Sequence, residues 1–228
     1  MRHVISAPPA AVVPVLGDDA VFPVHRIYCV GRNYADHAKE MGAEVNRTKP
    51  TFFMKPADAV LTGDADLPYP SATADLHHEV EMVVALHSGG TDIAVDDALA
   101  HVYGYAVGLD LTRRDLQAEA KEKRLPWDTG KGFDNSAPIS AIRAIGANAH
   151  PQGIAVTLAV NGAERQRSSI DEMIFNVPEI IAELSKLYEL RAGDLIFTGT
   201  PAGVAALARG DSYVATLEGI AELKGRVV

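Results

Sequence analysis

The chain has 228 residues, 47% of them hydrophobic, an ordinary globular composition with length for one sizeable core or two small ones. Its 21 basic and 30 acidic residues give a formal charge of −9, which argues against nucleic acid or an anionic membrane as partner, since both reward clustered Lys and Arg. Cys29 is the single cysteine, so no intrachain disulfide can form, and no apolar run reaches the roughly 18 residues of a membrane helix. Pro8, Pro9 and Pro14 interrupt the apolar N-terminal stretch, which has no clear basic region or cleavage site. No signal peptide is expected, and the cytoplasm is the expected compartment.

Residues 1–25 read as an irregular or short-stranded leader. Arg26 to Gly31 is a buried strand ending at glycine, Tyr34 to Met41 has helical composition, and Thr51 to Lys55 is a short strand stopped by Pro56. Residues 60–70 are rich in turn residues. A strand over 76–86 follows, broken by Ser88-Gly89-Gly90, then a short helix over 95–101 and an apolar run from Val102 to Leu111 that reads as a buried strand. The charged stretch Arg114 to Arg124 predicts a helix ended by Pro126. Asn161-Gly162 between 154–160 and 163–167 is a hairpin signal. Pro178 to Tyr188 predicts an amphipathic helix, and 195–197 and 213–217 are short strands. Strands and short helices mix without a regular βαβ repeat, which points to one β-rich α+β domain. There is no phosphate loop, dinucleotide fingerprint or zinc-protease helix motif.

The strand Leu76-His77-His78-Glu79-Val80-Glu81-Met82 carries the sharpest chemical signal. Side chains two apart on a strand share a face, so Glu79 and Glu81 project together while Val80 and Met82 turn to the core. Adjacent carboxylates repel unless a cation lies between them, and hard oxygen ligands suit Mg²⁺, Mn²⁺ or Ca²⁺. The ordinary alternative is a solvated strand face. Asp110, at the end of the apolar run, would complete a three-carboxylate set, or simply cap the strand. His77 shares the parity of Glu79 and Glu81 and is a rival third ligand. His37 and Glu40, three apart on a predicted helix, are neighbours that could form a base dyad or a surface pair. Lys131, between Gly130 and Gly132, reads as a loop cation aimed at an anion, or as a solvated lysine. Arg32-Asn33-Tyr34 places donors just after a strand. Gln117 and Thr200 carry no signal of their own.

These residues fall in ordered blocks: Val30 to His37, Phe53 to Pro56, His77 to Glu81, Gly108 to Asp115, Lys131 to Asp134, and Thr198 to Val204. From about residue 25 to the C-terminus the chain resembles the fumarylacetoacetate hydrolase family in its short acylpyruvase-like branch, and there most of all the bacterial fumarylpyruvate hydrolases of gentisate breakdown. The resemblance implies a mixed-sheet β-roll over 26–228, a homodimer, and a metal site of Glu79, Glu81 and Asp110 holding Mg²⁺ or Mn²⁺. It makes His37 and Glu40 the water-activating pair on a segment that orders as a lid. It places Lys131 and Gln117 along a small anionic 2-oxo acid substrate, and Thr200 at its pyruvate end.

The implied reaction is hydrolysis of a carbon–carbon bond in a 2,4-dioxo acid, with fumarylpyruvate cleaved to fumarate and pyruvate. Decarboxylation of oxaloacetate, or hydrolysis of another acylpyruvate, would use the same site. A non-catalytic metal-binding homologue is the alternative of a different class. Glu79→Ala separates it: a folded variant without turnover marks a catalytic metal, and a variant that loses only thermal stability marks a structural one.

Overall fold

In the computed structural model, which describes residues 3–40, 42, 47–146 and 150–228, the apolar runs lie side by side in a six-stranded sheet. Its order is Arg143–Ala144, Val102–Leu109, Val80–Leu86, Asp194–Phe197, Arg26–Gly31 and Thr51–Lys55. Neighbours are antiparallel except Asp194–Phe197, which runs parallel to Arg26–Gly31. These runs are apolar without alternation because the sheet is covered on both faces. Val80, Met82 and Val84 enter one core, while Val83 and Ala85 of the same strand enter a second.

The larger core is closed by helix Val177–Ser185, which contributes Ile180, Ile181 and Leu184, and by an antiparallel four-stranded sheet. That sheet runs Ala163–Ser169, Ala155–Val160, Ser212–Leu217, Ala221–Arg226. The expected hairpin is there, with Asn161 and Gly162 at φ 52° and 76°, the left-handed pair that a tight two-residue turn requires. The helix starts at Val177 because Asn176 and Glu179 form a reciprocal capping box. The leader pairs Val12–Pro14 with Val21–Pro23 and packs Val13, Val15 and Phe22 into the second core.

Two local expectations change. The strand over 76–86 is two strands. Leu76–His78 belongs to a small sheet with Ala205–Ala206 and Thr112–Arg113, and Val80–Leu86 belongs to the central sheet. The chain changes sheets at Glu79, so simple parity does not run through it. Lys131 closes a four-residue helical turn, Asp128–Lys131, instead of lying in a loop. Its flanking glycines still mark close contact: a Cβ on Gly130 would meet the Gln117 backbone nitrogen at 3.0 Å. The first predicted helix is Ala35–Glu40; Met41, at its expected end, lies outside the described residues, as do Met1 and Arg2 of the leader. Among the described residues no helix is long and apolar enough to cross a membrane.

Candidate active site

Several strand ends converge at one margin of the central sheet. Glu81 sits opposite Gly108 in the antiparallel ladder, and the Asp110 N–H donates to the Glu79 carbonyl at 2.8 Å. That bond continues the pairing one step past the point where the chain leaves the sheet. One oxygen from each of Glu79, Glu81 and Asp110 lies within 4.8 Å of the others, and all three side chains are buried.

Cations balance this charge unevenly. Lys131 Nζ donates to Glu79 Oε2 at 2.8 Å and to Asp110 Oδ2 at 2.7 Å. Arg114 Nη2 donates to Glu79 Oε1 at 2.5 Å. Burial pushes the Glu79 carboxyl up, but Lys131 and then Arg114 outweigh it and hold Glu79 well below the usual carboxylate range. Glu81 goes the other way. Burial, then Asp110 and Glu79, push it well above the ordinary value, against a single N–H from Gly199 at 2.8 Å. Lys131 is held above the ordinary lysine value: burial lowers it, and Asp110 and Glu79 more than restore it. Lys55 Nζ lies 2.9 Å from Asp110 Oδ1 but off a hydrogen-bonding direction, so that buried oxygen has no hydrogen-bond donor. Lys55 instead donates to the carbonyls of Leu111 and Lys131.

An all-oxygen, buried, carboxylate-only triad with one orphaned oxygen and one under-compensated carboxylate fits a hard divalent cation. His77 stands apart from this triad. Its Nε2 is 2.8 Å from Asp75 Oδ1, on the small sheet that the chain leaves at Glu79.

The triad lies on a cleft of about 370 Å³, part of it open to solvent, that His37, Arg32, Gln117, Lys131 and Thr200 also line. His37 is buried, with Nδ1 3.1 Å from Glu40 Oε2, and Glu40 Oε1 accepts the Gly203 N–H at 3.0 Å. Gln117 Oε1 accepts from Arg114 Nη1 at 2.7 Å. Thr200 Oγ1 donates to the Val80 carbonyl and accepts from Gln166 Nε2, both at 2.8 Å. Asn33 and Tyr34 are not among the cleft-lining side chains. Asn33 Nδ2 donates to the carbonyls of Phe175 and Thr198, and its Oδ1 accepts from Phe175 N. Tyr34 is buried with an unpartnered hydroxyl, which burial, and next Glu81, hold well above the usual tyrosine value.

Sequence reasoning passed over Lys55, Arg114 and Lys121. Lys55 gives the same signal as Asp110, a lone charge ending an apolar strand. Buried opposite charges at two strand ends could have been paired on that ground alone. Arg114 opens a charged helix and carries no such mark. Gln166, buried on the strand Ala163–Ser169, was also missed. Its Oε1 takes the Val80 N–H at 3.1 Å and faces His78 Nδ1 at 2.9 Å, supplying the partner that Val80 lacks where the chain changes sheets.

Residues 26–228 match the fumarylacetoacetate (FAA) hydrolase C-terminal family. A crystal structure of fumarylpyruvate hydrolase from Pseudomonas aeruginosa in complex with Mn²⁺ and pyruvate superposes with a TM-score of 0.97 at 48% identity, covering 100% of this chain and 99% of that one. The fumarylpyruvate hydrolase of a Ralstonia species is 43% identical over 80% of this chain and 96% of its own length. The mitochondrial oxaloacetate tautomerase of Rattus norvegicus is 41% identical over 88% of this chain and 90% of its own.

Proposed function

This chain belongs to the fumarylacetoacetate hydrolase family, and we propose that it hydrolyses the carbon–carbon bond of a 2,4-dioxo acid, with fumarylpyruvate as substrate and residues 26–228 as the catalytic unit. The observation that carries the reading is the buried Glu79–Glu81–Asp110 triad on the same cleft as His37, which is paired with Glu40. The Pseudomonas aeruginosa relative, with Mn²⁺ and pyruvate in its structure, supports it. Glu79, Glu81 and Asp110 are the residues that would hold Mg²⁺ or Mn²⁺, and such an ion supplies charge neutralisation and Lewis-acid polarisation of the 2-oxo acid end.

The protein's own groups do the rest. Glu40 engages His37 Nδ1, which fixes the tautomer and leaves Nε2 to take a proton from water. That water adds to the 4-carbonyl carbon. Lys131 spends two of its three N–H groups on Glu79 and Asp110, leaving the third for a substrate oxygen that gains charge. The bond between C3 and C4 then breaks, and its electron pair passes to C3 of the pyruvate fragment. His37 returns the proton. One water is consumed, and fumarate and pyruvate leave. Gln117 and Arg114, bonded to each other, and Thr200, fixed by Val80 and Gln166, orient the substrate. Arg32, Asn33 and Tyr34 follow the strand Arg26–Gly31 and lead into the His37 helix; of the three, Arg32 lines the cleft.

A cytoplasmic homodimer acting in gentisate catabolism fits this chemistry. A second reading rests on the oxaloacetate tautomerase relatives. Oxaloacetate is also a small 2-oxo acid, and neither its tautomerisation nor its decarboxylation needs an attacking water.

The test is steady-state turnover of fumarylpyruvate by chelator-stripped protein, with and without Mg²⁺ or Mn²⁺, following loss of the enol absorbance. Metal-dependent formation of fumarate and pyruvate is expected. No turnover with either ion present would overturn the hydrolase reading.

A further inference from the structure

The cleft carries more positive charge than the triad uses. Lys131 and Arg114 are bonded to the carboxylates. Lys121 and Arg32 line the same cleft, and neither has a carboxylate partner within 4 Å among the described residues. Burial differs along it: the triad is buried, Lys121 is half-buried and Arg32 is exposed. The carboxylates therefore form the floor, Lys121 the wall and Arg32 the rim. Lys121 Nζ lies 5.3 Å from the centroid of the Trp127 ring, and Trp127 meets Phe53 at 5.9 Å between centroids. Both rings line the cleft. A flat unsaturated chain fits against such aromatic surfaces, with the Lys121 ammonium at its end.

We propose that Lys121 and Arg32 form a subsite for a carboxylate at the far end of the acyl group, making the site selective for 2,4-dioxo acids that are dianions over those with a neutral acyl tail. This rests on the reading of the site as an acylpyruvate hydrolase and names the substrate class within it. Two cations facing one cleft, neither paired with a carboxylate, are costly to keep together. Burial, then Arg114 and Arg32, bring Lys121 down to about 8, and a bound carboxylate relieves that crowding. Arg32 also holds a left-handed backbone, φ 59°, a conformation unfavourable for a residue with a Cβ. Strain of this kind tends to be kept where a side chain is being aimed. A neutral acyl tail would gain from the Phe53 and Trp127 faces but leave both cations unpaired.

The experiment compares metal-loaded wild type, Lys121→Met, Lys121→Arg and the double variant Lys121→Met/Arg32→Gln on two compounds. Fumarylpyruvate ends in a carboxylate and acetylpyruvate in a methyl. The readout is the ratio of kcat/KM for the first over the second. Lys121→Met should lower that ratio about tenfold, carried by KM, and the double variant further. Lys121→Arg should restore most of it. An unchanged ratio in both Lys121→Met and the double variant overturns the subsite. If wild type turns over neither compound, the hydrolase reading fails, and the subsite is decided separately by calorimetric binding of both compounds to the Mn²⁺-loaded protein. Tighter binding of fumarylpyruvate that Lys121→Met abolishes sustains it, and equal affinities overturn it.

Discussion

Replacing Glu81 by Gln should stabilise the metal-free protein while weakening its response to metal. Of the three triad carboxylates, Glu79 is bonded by Lys131 and Arg114, and Asp110 has Lys131 and Lys55 beside it. Glu81 is 2% exposed and receives one backbone N–H, from Gly199. A charge so buried beside two others of its sign is the costliest of the three to keep without a cation. In Glu81→Gln the amide oxygen can keep the Gly199 bond, and its NH₂ can donate to Asp110 or Glu79. Removing the repulsion and adding a bond to a charged acceptor is worth about 2 kcal/mol, which is roughly 4–8 °C in Tm for a chain of this length. The assay is thermal unfolding in chelator, then with Mn²⁺ titrated in. Wild type should gain about 2.7 kcal/mol once free Mn²⁺ reaches a hundredfold excess over Kd, and Glu81→Gln much less at the same concentration. A variant that melts lower than wild type in chelator, or that keeps the full metal response, would refute the account of Glu81 as an under-compensated ligand.

Lys55→Met should cost about 3–5 kcal/mol, because it strips one of the two cations beside a buried Asp110 and removes the donor to the Leu111 and Lys131 carbonyls; urea unfolding of the metal-free protein measures it. Glu40→Gln should abolish acylpyruvate hydrolysis while sparing much of any oxaloacetate decarboxylation, since only the first needs an activated water; equal loss of both activities would sink that separation of roles. Burial pushes Asp115 up, but the Thr73 hydroxyl and the N–H groups of Ala74 and Leu116 outweigh it and hold the carboxyl below its ordinary 3.8. The stability it contributes is therefore full above the unfolded pKa of about 3.9 and is lost as the pH falls through the lower folded value. Asp115→Asn should flatten the acid limb of the stability profile below about pH 4, read by thermal melts across a pH series.

What the sequence made legible had local signatures. The runs at 26–31 and 102–111 read as buried because both their faces are apolar, and the strands they form, Arg26–Gly31 and Val102–Leu109, are covered on both faces. The Asn161-Gly162 turn was readable because few residue pairs accept two left-handed conformations in succession. The carboxylate triad was approachable because Glu79 and Glu81 sit two apart at the start of an apolar run and Asp110 falls at the end of another. Illegible were features made by tertiary pairing alone. The two-residue strands at 112–113, 137–138 and 205–206 have no periodicity of their own. The change of sheet at Glu79 depends on Gln166, 86 residues from Val80 in sequence, standing in for a ladder partner of Val80. Lys131 read as a cation aimed at an anion; that the anions are Glu79 and Asp110 depends on the short helix at 128–131 and on no motif around the lysine.

The mixed character of the central sheet explains why the site sits where it does. If Asp194–Phe197 and Arg26–Gly31 were antiparallel, their outgoing loops would leave from opposite margins. Because they are parallel, the turn after Phe197 and the Arg32–Asn33 segment emerge together, the place where open sheets with parallel strands gather ligands. Asn33 fastens the two loops by donating to the Thr198 carbonyl at 2.8 Å. The fit is tight enough that a Cβ on Gly199, at φ 100°, would stand 2.6 Å from Asn33 Cβ. The antiparallel strand Val80–Leu86 begins at this same margin, so Glu81 meets the Gly199 N–H there. The helix that carries His37 follows directly from Asn33, and Glu40 returns to the same turn through the Gly203 N–H. One triad member, Glu81, and one dyad member, Glu40, are thus held to a common turn, residues 199–203. The turn therefore ties the position of Glu81 to that of Glu40, the partner of His37, and so helps fix the spacing between triad and base on which attack by an activated water depends.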